Sequence, residues 1–241
     1  MSRLESSILD ARALPAGLAA RMYALYAAHY EACDPQRFAS DLAGKDHVIA
    51  LEEGGVLRGF STLAHETFLS AQGPVRVIFS GDTLIDPGAW GEQGLSRSFA
   101  RLAGALQARG PQLPLYWLLI SKGHRTYRYL SVFARRFFPH PEGDDPQLAA
   151  LASQLAAARF GAAYDAGRGV IAHAESQGHL RAELAAVPAR IATRADGAFF
   201  LRRNPGYRLG HELVCLTELR PDNLRAVVRQ AFIEGQARGL G

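Results

Sequence analysis

Met22, Leu25, Tyr26 and Tyr30 recur at helical spacing, which predicts an amphipathic helix over Leu18–Tyr30. Asp34-Pro35 then predicts the N-cap and first turn of a second helix, Pro35–Leu42. Asp46–Glu53 (DHVIALEE) and Val56–His65 (VLRGFSTLAH) read as strands joined by a Gly54-Gly55 hairpin turn. A third strand, Val75–Ile85, ends at Asp86-Pro87-Gly88. Gly94–Arg109 is a predicted helix that buries Leu95, Phe99, Leu102 and Leu106. The unbroken apolar run Leu115–Ile120 predicts a central strand, and Thr126–Phe138 a helix that stops before Pro139.

Beyond Pro139 the pattern is looser. Asp144–Asp165 reads as an Ala-rich helix capped by Asp144 or Asp145, and Leu180–Ala192 as a helix interrupted at Pro188. Ala198–Arg202 and Glu212–Glu218 resemble strands joined across Asn204-Pro205-Gly206, and Pro221–Arg238 a closing helix. Helices, an antiparallel meander and then strand–loop–helix–strand–helix define an α/β chain. The two strands around the Gly94 helix are expected to be parallel, in a right-handed crossover. The expected division is a core over residues 1–140 and an extension over 141–241 that completes the sheet or forms a lid.

Composition narrows the function. The 241 residues are 48% hydrophobic and 21% charged, enough for a sizeable core. Net charge is +4, but the arginines are scattered and Lys45 and Lys122 are the only lysines. A clustered basic stripe is missing, so no nucleic-acid partner is expected, while an anionic small molecule suits the mild basicity. Cys33 and Cys215 are too few and too far apart for a disulfide framework, and none of the 8 histidines pairs at metal-ligand spacing. With neither a signal-peptide pattern nor a membrane-length apolar run, the expectation is a cytoplasmic protein without metal or membrane partner. The sequence leaves oligomeric state open.

The most specific stretch is VRVIFSGDTLIDPGAWGEQGLSRSF, residues 75–99: an apolar strand, a proline turn, a glycine-spaced loop and a helix start. That order builds an anion site, because glycines admit a ligand to the backbone and the helix's first N–H groups point outward. The segment resembles the coenzyme A loop of the GNAT acyltransferase superfamily. Ile85-Asp86-Pro87 fits that family's turn after its fourth strand, and Gly91-Glu92-Gln93-Gly94-Leu95-Ser96 its pyrophosphate loop. Gly91 stands where Gln or Arg is usual, and Ser96 where the last small residue stands. Gly59-Phe60-Ser61 and LYWLLISKG, before a Tyr-bearing helix, extend the resemblance over Leu18–Pro139.

The resemblance implies a GNAT-like mixed sheet with a splayed pair of parallel central strands flanked by helices, here with a helix-rich C-terminal extension. It implies that pantetheine pairs with the backbone of Thr83, Leu84 and Ile85, that Gly91–Ser96 hold the pyrophosphate, and that Lys122 contacts phosphate or substrate. The implied reaction moves an acyl group from acyl-coenzyme A, as co-substrate, directly to a small-molecule amine. Tyr127 or Tyr129, on the helix after the fifth strand, is the implied acid. Asp82 is the candidate base, since burial in a central strand raises a carboxyl pKa into a useful range. Glu66, at the end of the preceding strand, is the second candidate. Acyl carrier protein is an alternative donor, as in synthases of N-acyl amino acids and lactones, and a catalytically inactive binding module is the other alternative.

Overall fold

The computed structural model describes residues 4–239. Its frame is an eight-stranded sheet in the order β1-β3-β4-β5-β6-β10-β8-β7. β1 (Leu4–Asp10) is an edge strand absent from the expectations above; it pairs antiparallel with β3 (His47–Glu53). Its polar run ESS lies on an exposed edge, so it lacks the apolar face that announces a strand. α1 (Leu18–His29), β2 (Tyr30–Glu31) and α2 (Pro35–Ala43) follow, and the Asp34 carboxylate accepts from the Gln36 and Arg37 amides at the start of α2. β3 and β4 (Val56–Ser70) form the expected hairpin, whose Gly54 and Gly55 take φ of 56° and 81°, values open to glycine.

β5 (Gly73–Ile85) pairs antiparallel with β4 and parallel with β6 (Leu115–Ser121); α3 (Gly94–Ala108) connects the two parallel strands. Leu95, Phe99, Leu102 and Leu106 of α3 are all buried, as their spacing predicts. Sheet and helices enclose three cores: one beneath α3 and one beneath α1 and α2, with a third under α5 (Pro146–Phe160). This is the expected mixed sheet, mainly antiparallel with one parallel pair and flanked by helices.

α4 (His124–Phe133) ends five residues before the expected Phe138. Tertiary hydrogen bonds take the chain there. Asn223 accepts from the Arg136 amide and donates to the Arg136 carbonyl, while Ala134 and Phe138 form bridges to Leu224 and Leu216. The same clamp keeps Pro221–Arg225 out of the last helix, so α9 is Ala226–Arg238. Asp145 is the N-cap of α5, which stops at Phe160; β7 (Tyr164–Asp165), β8 (Val170–Ile171) and β9 (His179–Leu180) follow. Pro188 separates two single turns, α6 (Ala182–Ala185) and α7 (Ala189–Ala192).

The expected strand Ala198–Arg202 is a helix, α8 (Ala195–Arg203). A short apolar run does not fix its own period; here Phe199 and Phe200 both pack on Tyr127, and Gly197 lets the backbone touch the Ile191 carbonyl. β10 (Glu212–Glu218) is a strand as expected and pairs antiparallel with β6, while α9 packs on α3. Among the described residues no helix is long and apolar enough to cross a membrane.

Candidate active site

The parallel ladder between β5 and β6 runs only from Arg76–Leu115 to Ser80–Leu119. Beyond Ser80, β5 continues to Ile85 without β6, so the two strands fork. The fork begins at a break in the opposite ladder: the β4–β5 register shifts between Ser61 and Leu63, leaving Gly81 and Asp82 across from Thr62. A bulge of this kind bends its strand and increases its twist, which carries β5 away from β6. Gly81 fits closely there: a Cβ would lie 2.8 Å from the Lys45 Cε and 2.9 Å from the Thr62 Oγ1, so a larger residue would have to displace the lysine side chain.

Past the bulge, alternation decides which backbone groups face the fork. The Asp86 amide donates to the Arg58 carbonyl, so Asp86 and, two residues back, Leu84 turn their polar groups to β4. Thr83 and Ile85 therefore point theirs into the fork. The Trp90 indole donates to the Ile85 carbonyl at 2.9 Å, leaving the Thr83 N–H and C=O and the Ile85 N–H for a guest. The Thr83 hydroxyl is held by Ser61 at 2.7 Å. Leu84 contributes a buried side chain instead.

The loop after β5 leaves the start of α3 open. Gly91 has φ of 98° with nothing within 4 Å of where a Cβ would stand, and Gln93 gives no side-chain cap. Gly91, Glu92 and Gln93 are exposed, and the Gly94, Leu95 and Ser96 amides have no intrahelical acceptor. Leu95 itself is buried in the core, and the buried Ser98 hydroxyl pairs with Ser6 at 2.8 Å, so neither side chain blocks the loop.

On the α1–α2 face of the fork lies a cavity of about 420 Å³. Asp82 and Thr83 line it from β5, and Leu119, Ile120 and Lys122 from the end of β6. Tyr26, Tyr30 and Phe38 close one wall, Phe79 and Phe160 another, and Glu212 the floor beside Lys122. The Lys122 ammonium lies 3.7 Å from the Glu212 carboxylate and 5.6 Å from the centre of the Tyr30 ring. Burial pushes the Asp82 carboxyl up to about 6; Lys122 opposes that rise and Asp41 adds to it. Burial raises Glu212 as well, against the pull of Lys122, and holds the Tyr26 and Tyr30 phenols well above their ordinary range.

Asp82 and Lys122 are thus brought together at the mouth of the fork, and the other predicted side chains are not. The Tyr127 hydroxyl donates to the Pro139 carbonyl inside the core, and its ring stacks on Phe199. Tyr129 is half-buried beside Ser96 at the start of α3. Glu66 is exposed and paired with Arg159 at 2.9 Å. Tyr26, Tyr30 and Glu212 were missed. A carboxylate opening the apolar strand ELVCLTE carries the signal that singled out Asp82, a charge in a buried strand.

No known family profile matches this chain, and no curated protein matches it. Among solved structures it is similar to a protein of unknown function from Enterococcus faecalis V583, described as a probable N-acyltransferase, at 14% identity and TM-score 0.42. That match covers 56% of this chain and 33% of the Enterococcus chain, so the shared region spans a third of that protein's length. A GNAT family N-acetyltransferase from Escherichia coli in complex with CoA matches at 14% identity and TM-score 0.37, over 54% of this chain and 69% of its own. An N-acyl amino acid synthase from uncultured soil microbes matches at 19% identity and TM-score 0.37, over 56% of this chain and 84% of its own. Likeness at this level transfers no activity; function has to be read from the fork and the cavity.

Proposed function

We propose that this protein is an acyltransferase that moves an acyl group from acyl-coenzyme A to the amine of a small acceptor. The observation that carries this reading is the open fork, with the Thr83 backbone and the Ile85 N–H unpaired on one side and a cavity holding Asp82 on the other. An extended amide-bearing chain pairs with such an edge as an added strand does. Thr83 offers it a donor and an acceptor and Ile85 a donor, while the open amides of Gly94–Ser96 take the diphosphate. The residues present fit that guest: the Trp90 indole occupies only the Ile85 carbonyl at the far end of the fork, and glycine at position 91 leaves the loop low.

In the cavity Asp82 takes a proton from the acceptor amine, and its nitrogen attacks the thioester carbonyl carbon. A C–N bond forms and the C–S bond breaks, releasing a thiolate. Lys122, the ammonium lining the same cavity, returns a proton to that sulfur. With a carboxyl near 6, the base is ionised at neutral pH without being too weak to accept a proton.

Thermal unfolding across acetyl-, medium- and long-chain acyl-coenzyme A tests the proposal. At one hundred times its dissociation constant the preferred thioester stabilises the fold by about 2.7 kcal/mol. For a chain of this size that raises Tm by roughly 5–10 °C. No shift with any thioester would overturn the assignment.

A further inference from the structure

The charges around the cavity pair off with two exceptions. Lys45 reaches Asp41 at 2.6 Å, Lys122 lies 3.7 Å from Glu212, and Arg159 binds Glu66 at 2.9 Å while covering the Phe79 ring. Asp34 is occupied by the two amides that it caps. Among the described residues, that leaves Arg37 and Asp82 lining the cavity without an ion-pair partner: an exposed guanidinium on α2 at the mouth and a largely buried carboxyl at the fork. Arg37 also borders the open shelf formed with Ser40, Gly44 and Arg159 just outside.

We infer that the acceptor is an α-amino acid with an apolar side chain, its carboxylate held by Arg37 and its amine directed to Asp82. This rests on the transferase reading above and adds the chemical class of its acceptor. A guanidinium at the mouth and a carboxyl at the fork are matched together by one zwitterion, whereas a simple amine meets only the carboxyl. Arginine suits the task because its planar fork binds a carboxylate through two parallel hydrogen bonds. Tyr26, Phe38, Phe79 and Phe160 supply an apolar and aromatic wall for the side chain. A cavity of about 420 Å³ has room for such a molecule and the end of a thioester.

Calorimetric titration of the full chain with L-phenylalanine and L-leucine, beside phenethylamine and isoamylamine, tests this without an acyl donor. The amines are the same molecules without the carboxylate. The wild type binds each amino acid at least about tenfold more tightly than its amine, a gap set by the charge-assisted contact. Arg37→Gln removes that preference while leaving amine affinity unchanged, and Arg37→Lys keeps part of it. Equal affinity for amine and amino acid, a preference that survives Arg37→Gln, or no binding of either overturns the inference. Amino acids that bind with the expected preference to a protein that releases no thiol from any acyl-coenzyme A uphold this cavity assignment and sink the transferase reading instead.

Discussion

Asp82→Asn lowers acyl transfer by about 10²–10⁴-fold, the usual contribution of a positioned general base, and does so without weakening the fold. In the wild type kcat/KM climbs with pH until the Asp82 carboxyl has ionised, near 6, and then levels. The variant loses that limb. Stability moves the opposite way. Burial raises this carboxyl in the folded state, so the fold holds its proton more tightly than the unfolded chain does. The resulting stabilisation is present below the ordinary aspartate range and is lost as pH rises through about 6. Above that, ionised Asp82 costs on the order of 3 kcal/mol, which asparagine avoids. Asp82→Asn is therefore expected to unfold no earlier than the wild type at pH 7.5. Initial rates across pH 5–9 and parallel thermal melts check both halves. An undiminished rate, or a limb near 6 that persists in the variant, removes Asp82 from the chemistry.

The largest expected loss of stability lies where α9 crosses α3. A Cβ on Gly104 would stand 1.9 Å from the Phe232 carbonyl oxygen, and one on Gly235 would stand 2.0 Å from that of Arg101. Backbone touches backbone at both points, so neither helix has a flexible side chain to move aside. Gly104→Ala forces α9 away from the sheet and opens the core around Phe232, which is fully buried. The expected cost is about 3 kcal/mol, roughly 6–12 °C in Tm. Gly44→Ala, where the nearest atom is 3.5 Å away and φ is −85°, is the matched control and should leave Tm unchanged. A melt of Gly104→Ala within about 2 °C of the wild type would show that α9 is free to slide on α3, against the packing described here.

The half of the chain that holds the fork was largely legible in the sequence because its signals are local. Gly54-Gly55 fixes a hairpin, Asp34-Pro35 and Asp86-Pro87 fix turns, and Leu95, Phe99, Leu102 and Leu106 mark the buried stripe of α3. Asp82 stood out because a charge inside an apolar strand needs a reason to be there. Where tertiary bonds outweigh local preference, the sequence misled. Nothing near Ala134 announces that Asn223, in a distant turn, will take the Arg136 backbone and end α4 early. Phe199 and Phe200 fit a strand or a helix equally well until Tyr127 is set beside them. The cavity wall was hidden for the same reason. Tyr26 and Tyr30 lie four residues apart and stack at 4.5 Å, a helical signal that reads as core until β5 brings Asp82 to face them. The aromatic helix after β6 misled in the other direction, since Tyr127 turns its hydroxyl inward to Pro139.

Everything catalytic proposed above depends on the fork taking an extended guest along β5. Amide hydrogen exchange of the full chain, with and without a non-hydrolysable thioether analogue of acyl-coenzyme A, reads that contact at single residues. The Thr83 and Ile85 amides, which face no strand on their outer side, are expected to slow at least about tenfold in the complex, together with those of Gly94–Ser96. Analogue binding that protects other segments while Thr83 and Ile85 exchange as before would contradict the fork as the donor site.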